Sequence, residues 1–147
     1  MEIDVEALKR DWAGSTFDTV EFEIKVDDLL DFARSCGEIA PQYVDPSHPQ
    51  FRAVPTFTAR YVGRRVLPDD FPRFTKGFGF DAGKCVTALA PIRAGDKVTA
   101  KSCIHDIYTK TGRSGTMLFI VHRMDFTNQR GEHVSTVDWR MVQRAGA

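Results

Sequence analysis

The residues best suited to acid/base chemistry stand in one polar stretch, SCGEIAPQYVDPSHPQF, residues 35–51. A carboxylate (Glu38), a phenol (Tyr43) and an imidazole (His48) follow one another just past Cys36-Gly37, where a helix is predicted to end. One group that takes a proton and another that delivers one are what general acid/base catalysis requires. A phenol stays protonated at neutral pH, so Tyr43 is a hydrogen-bond donor and a poor base. His48 lies between Pro46 and Pro49, with nothing near it in sequence to orient its ring, and reads as an exposed turn residue. Two readings stand for Glu38 and Tyr43: loop residues, one solvated and one packed, or a chemical pair.

Other chemistries find less support. Cys36, Cys85 and Cys103 are odd in number and far apart, with no C-x-x-C, and read as small buried hydrophobes in a reducing compartment. His105, His122 and His133 fall on predicted strands, where a satisfied or solvent-facing ring is the default, and no metal site is expected. The glycines of KGFGFDAGK (Gly77, Gly79 and Gly83) lack the Walker spacing and read as loop and strand-entry residues. Arg60, Arg64 and Arg65 either meet phosphate groups or form a solvated face that complements a helix dipole. Phe57, Tyr61, Phe71, Phe74, Phe78 and Phe80 either line an apolar tunnel or pack a core.

The elements that position these residues follow from periodicity. Val5, Leu8 and Trp12 recur at helical spacing, and FDTVEFEIKV alternates as a half-buried strand with Val20, Phe22, Ile24 and Val26 on one side. Asp27 and Asp28 precede Leu29, Phe32, Ala33 and Cys36 at i, i+3, i+4, i+7, a helix closed by Gly37. Residues 38–53 have no period and are predicted as loop. VPTFTARYVGRR opens with a first-turn proline and is predicted as a second helix. From Phe80 onward, CVTALAPI, DKVTAKSCIHDIYTK, TMLFIVHRMDFTN and HVSTVDWRMVQR are strands separated by turn formers, an antiparallel meander. The class is α+β, with residues 1–147 as a single domain.

Composition narrows the function classes. The chain has 147 residues, and its 20 basic side chains are balanced by 20 acidic ones, so no net field gathers a nucleic acid. No stretch approaches the roughly 18 apolar residues of a membrane span. The acidic, amphipathic MEIDVEALKRDWAG is unlike a signal peptide, and a cytoplasmic location is expected.

The order of strand, helix, polar loop, helix and meander carries three more specific elements: AVPTF opening the second helix, PIRAGDKV before the meander's second strand, and DFTNQRGE at its last hairpin. Together they resemble the MaoC-like dehydratase and hydratase family, and within it the N-terminal-half-like, non-catalytic subunit type found among mycobacterial hydroxyacyl dehydratases. The resemblance runs from about Phe17 to Arg144. It implies the hot-dog fold, an antiparallel sheet wrapped around a central helix. Catalytic relatives carry G-D-x-N-P-x-H after the first helix, with Asp and His as the acid/base pair. The matching residues here are Gly37-Glu38-Ile39-Ala40-Pro41-Gln42-Tyr43, so Glu38 stands for the Asp and Tyr43 for the His. Glu is one methylene longer, and misplacement by about 1 Å costs roughly a hundredfold in rate. Relatives also use a backbone N–H at the start of the central helix to hold the thioester oxygen; Pro55 stands there and has none, leaving Thr56 to substitute.

The resemblance therefore implies a subunit of a heteromeric (R)-specific 2-enoyl-thioester hydratase or 3-hydroxyacyl-thioester dehydratase. A second MaoC-like hot-dog chain would supply the Asp/His pair. Glu38 and Tyr43 mark the catalytic positions, and Pro55, Thr56, Phe57, Tyr61, Arg64 and Arg65 the substrate-binding ones. No cofactor is implied; coenzyme A or an acyl carrier thioester is substrate. Two alternatives stay open: a self-sufficient homodimer, thioesterase or hydratase, using Glu38, and a non-enzymatic acyl-CoA-binding protein.

Overall fold

A computed structural model of the chain describes residues 3–74, 79–113 and 115–144. Five strands form one antiparallel sheet: β1 (Thr16–Glu23), β2 (Gly79–Ala88), β3 (Lys97–Gly112), β4 (Gly115–Thr127) and β5 (His133–Arg144), in the order β1-β3-β4-β5-β2. The expected meander is present in β3, β4 and β5. β2 does not lead it but lies on the far edge against β5, with Val86 opposite Val137. After β2 the chain crosses the sheet, tied down where Leu89 N–H reaches Val134 O, and Gly95 N–H meets Ile24 O beside β1. Strand order and α+β layering make this a hot-dog-like fold.

The turns between strands close through the side chains that the sequence places there. Asp96, buried, accepts from Arg93 N–H at 2.9 Å and Gln129 Nε2 at 3.0 Å. In the β4–β5 turn, Asn128 Oδ1 accepts from Arg130 N–H and Glu132 N–H, and Gly131 takes the left-handed backbone that the turn requires.

One sheet face carries both apolar clusters. The larger joins Val98, Ala100, Met124, Phe126, Val134 and Val137 of the sheet to Ile24, Leu29, Ala33, Phe51, Val54 and Phe57. The smaller joins Ile104, Ile107, Leu118 and Ile120 to Leu8 of α1 (Val5–Trp12) and to Phe71. Helix α2 (Val26–Ser35) buries Leu29 and Ala33, as its apolar spacing predicts. It ends as expected at Gly37, φ +71°, whose N–H bonds Arg34 O while Glu38 N–H bonds Ala33 O. That pair of bonds is a Schellman closure. Val26, expected on the strand, opens this helix instead and is exposed.

One sequence expectation fails here for a tertiary reason. The predicted helix over 54–65 is only a 3-10 turn, Phe57–Arg60. Asp18 of β1 takes the N–H groups of Arg64 and Arg65 at 2.8 and 3.1 Å, which a continuing helix would have spent on its own carbonyls. Lys84 Nζ of β2 takes Ala59 O and Tyr61 O at 2.7 and 3.1 Å. Both ends of the local hydrogen-bond ladder are thus claimed by distant strands. Conversely, the loop 38–53 contains a one-turn helix, α3 (Pro41–Val44), with proline at its first position. The cysteines are not buried: Cys36 sits at a helix end and Cys85 on the edge strand, both exposed, and Cys103 is half-buried.

Candidate active site

Beside the larger cluster the sheet's cover opens into a cavity of about 200 Å³. Its walls are Tyr43 of α3, the segment Arg52–Pro55, the run Ala88–Ile92 leaving β2, and Val134 and Ser135 of β5. Most of this lining is apolar. Ser135 Oγ is 2.7 Å from Thr58 Oγ1, both buried, so one of its hydrogen bonds is already made. Arg52 lies over the Tyr43 ring, its guanidinium carbon 5.9 Å from the ring centre.

The residues expected at the site divide sharply. Tyr43 lines the cavity and Glu38 does not. The Glu38 carboxylate instead folds back on its own loop, Oε1 accepting from Ile39 N–H at 2.9 Å and Ala40 N–H at 3.0 Å. Pro55 lines the cavity, while Thr56 is exposed just outside it. Phe57 is fully buried behind the wall, and Tyr61 stacks on Phe22 with ring centres 4.0 Å apart. Burial raises the Tyr61 hydroxyl above its ordinary pKa, so the ring stays neutral. Arg64 pairs with Asp18 and Arg65 with Asp69, both at 3.4 Å, and Arg60 with Asp28 at 3.4 Å. Of the six aromatic residues named from sequence, Phe57 and Tyr61 pack in the larger cluster, Phe71 and Phe74 in the smaller, and Phe80 is exposed. Phe78 and Gly77 lie outside the described residues.

Sequence reasoning missed two features. Arg52 is a charged group in the cavity wall; Ala53 N–H bonds Ile92 O at 2.8 Å, joining the two chain segments that line it, a pairing that no local pattern announces. The second is His122. Ile104, His122, Trp139 and Lys84 face one another across four strands, a row between the two apolar clusters. His122 is 1% exposed, contrary to the default for a strand histidine, and neither ring nitrogen has a partner among the described residues. Burial, aided by the Lys84 ammonium, pushes its pKa down to about 4, with Asp18 opposing. His48 is held by accepting Gln50 N–H on Nδ1 at 3.0 Å, and His133 Nε2 lies 3.2 Å from Asp125. A second hollow of about 440 Å³ lies against Leu67, Phe71 and Gln143.

The family profile FAS1-like, dehydratase domain region, matches residues 11–137. The chain belongs to this family of MaoC-like hydratases and dehydratases. The UPF0336 protein of Streptomyces coelicolor is 28% identical over 155 residues, covering 95% of this chain and 97% of that one. Among solved structures, a chain of the HadBC (3R-hydroxyacyl-ACP dehydratase) complex of Mycobacterium tuberculosis superposes with TM-score 0.63 at 21% identity, over 90% of this chain and 93% of that one. The MaoC-like dehydratase of Phytophthora capsici gives TM-score 0.67 at 19% identity, over 99% of this chain and 50% of that one. This chain therefore matches nearly the full length of a chain of the first and half of the second. Among the described residues no cluster of side chains could hold a metal ion, and no helix is long and apolar enough to cross a membrane.

Proposed function

We propose that this chain, a single hot-dog domain over residues 1–147, is the pocket-shaping subunit of a heteromeric (R)-specific 2-enoyl-thioester hydratase or 3-hydroxyacyl-thioester dehydratase of the cytoplasm. Its partner is a second MaoC-like chain that brings the Asp/His pair. The observation that carries this reading is the Glu38 carboxylate, bonded to its own loop and not among the residues that line the cavity with Tyr43. A general base has to reach the proton it takes, within about 3 Å or through one water. Neither a phenol nor a prolyl nitrogen replaces the missing functions: Tyr43 is a donor, and Pro55 offers the cavity no N–H.

The cavity's size points the same way. At about 200 Å³ it is smaller than the roughly 300–1,000 Å³ of complete small-molecule sites, so it holds part of an acyl thioester. One wall, Ala88 and Leu89, leaves the edge strand β2, where a second hot-dog chain extending the sheet would complete the site. The HadBC complex is made of two different chains, which gives the heteromer a precedent in the family.

The test is hydration of a 2-enoyl thioester, followed by its absorbance, with free thiol measured in parallel. The chain alone is expected to be inactive and to become active with a hot-dog partner carrying G-D-x-N-P-x-H. Substituting the partner's Asp should abolish that activity, whereas Glu38→Gln here should not. Hydration by the chain alone would overturn the proposal in favour of a self-sufficient dimer, and thiol release would favour a thioesterase.

A further inference from the structure

The polar side chains in the cavity wall are Tyr43, Arg52 and Ser135, all hydrogen-bond donors, and no acid stands among them. Ser135 and Thr58 are each 2% exposed, and their hydroxyls share one hydrogen bond of 2.7 Å. Two hydroxyls carry two hydrogens, and one bond uses one of them. Neither oxygen has another partner among the described residues, so one buried hydrogen lacks an acceptor whichever residue donates. Of the two, Ser135 faces the cavity. An acceptor placed there would align the pair, Thr58 donating to Ser135 and Ser135 to the ligand. Tyr43 adds a phenol O–H without a partner among the described residues, its ring lying against the Arg52 guanidinium. The wall's own acceptors are largely taken: Ile92 O by Ala53 N–H, Val134 O by Leu89 N–H and Val54 O by Phe57 N–H. A buried donor left unpaired costs the solvation it gave up. An apolar wall with unpaired donors therefore suits a hydrocarbon ligand that carries an acceptor oxygen.

We infer that the cavity selects an acyl group bearing a second oxygen function, oxo or carboxylate, set apart from the thioester and held by hydrogen bonds from Ser135 and Tyr43. This rests on the reading of the chain as a pocket-shaping subunit, and it narrows the substrate from acyl thioesters at large to oxygenated ones. A plain hydrocarbon chain would fill the same apolar wall and leave both donors unpaired. Oxo and carboxylate oxygens present the same acceptor to a hydroxyl. Arg52, the charged residue of the wall, separates them, because a guanidinium favours the ionised group.

The test is calorimetric binding of three coenzyme A thioesters of equal chain length: 2-octenoyl, 7-oxo-2-octenoyl and the monothioester of 2-octenedioate. Homologues shorter and longer by two methylenes offer the oxygen at other depths. Titrations are run on the intact chain, on Tyr43→Phe, on Arg52→Gln and on the paired variant Ser135→Ala with Thr58→Val, with melting temperatures confirming that each folds. The hydroxyl pair is removed together because a lone buried hydroxyl would weaken the fold, and Tyr43→Phe keeps its ring. At one chain length or more, an oxygenated thioester is expected to bind the parent roughly tenfold or more tighter than its plain counterpart. Tyr43→Phe and the paired variant should each lose most of that preference while binding the plain thioester like the parent. A carboxylate advantage over the oxo group that Arg52→Gln removes would identify the carboxylate as the function selected; no such advantage would identify the oxo group. If the parent binds every plain thioester as tightly as its oxygenated counterparts, the oxygen assignment falls while the thioester reading survives. A preference that persists in both Tyr43→Phe and the paired variant would also overturn the assignment, since the oxygen would then be held elsewhere. Failure of the parent to bind any of the thioesters would overturn the thioester reading and the oxygen assignment together.

Discussion

The two apolar clusters share one sheet face and differ in what covers them. Over the smaller, α1 lays Leu8 against the sheet, with Trp12 meeting Phe71 edge to face at 5.4 Å between ring centres. Over the larger, α2 covers one side, and the rest is the one-turn α3, loop and a single 3-10 turn. The cavity opens there, between the one turn of α3 and the irregular segment Arg52–Pro55. Burying apolar side chains is enough to close a sheet; leaving a hollow requires cover whose backbone is satisfied by something other than its own ladder. Asp18 and Lys84 are that something in the 59–65 stretch.

The largest effects should separate the two clusters as scaffold and site. Phe57→Ala, behind the cavity wall, is expected to cost about 3–5 kcal/mol of stability and to weaken thioester binding. Ile107→Ala, in the smaller cluster, is expected to cost about 2–5 kcal/mol and leave binding unchanged. Urea unfolding and ligand titration on the same samples measure both. Equal loss of binding in the two variants would break the comparison.

The row between the clusters yields the next effect. His122 has its pKa lowered to about 4 in the folded protein, against about 6.5 when unfolded. Between those values the unfolded chain binds more protons, so stability falls as pH drops below about 6.5, and the loss is complete below about 4. The integrated loss is roughly 3 kcal/mol. His122→Leu removes the titrating ring and its unpartnered nitrogens, so its unfolding free energy should be flatter from pH 7 to pH 4 than the parent's. An unchanged acid limb would place the titration elsewhere, the Arg123–Asp138 pair being the next group to examine.

How much of this was legible in the sequence depends on whether the cause was local. The strands, α1, and α2 with its glycine closure follow from period and turn chemistry, and they appear nearly where expected. The stretch 54–65 has a first-turn proline and helical spacing, yet its amides and carbonyls go to Asp18 and Lys84, residues distant in the chain. His122 alternates correctly as an inward strand residue; nothing in MLFIVHRMDF says that no partner would meet its ring. At the site, the match of Glu38 to a family Asp was readable, but the direction of its carboxylate was not. Arg52's place in the cavity wall needed the contact of Ala53 with Ile92, which only the fold makes.

Gly63 tests whether Asp18 holds the 61–65 segment in place. Its φ is +80°, and a Cβ there would lie 2.9 Å from Asp18 Oδ2. Gly63→Ala therefore combines left-handed strain with displacement of the carboxylate that holds Arg64 and Arg65. The expected cost is about 1–2 kcal/mol by thermal or urea unfolding. A neutral result would mean that the 61–65 segment rearranges freely and that Asp18 does not hold it.

The smallest expected effect belongs to the residue that first suggested chemistry. Glu38 Oε1 accepts two N–H bonds from Ile39 and Ala40, and a glutamine carbonyl oxygen accepts the same bonds at the same distance from the backbone. The charge is what changes, and it sits near the end of α2, where the helix dipole disfavours an anion. The lost charge-assisted strength and the relieved dipole repulsion oppose each other, so Glu38→Gln should alter stability by less than about 0.5 kcal/mol. With a catalytic partner present, turnover should stay within about twofold of the parent. A working base would lose far more, because an amide cannot take the proton; a drop of roughly a hundredfold would make this loop carboxylate catalytic after all.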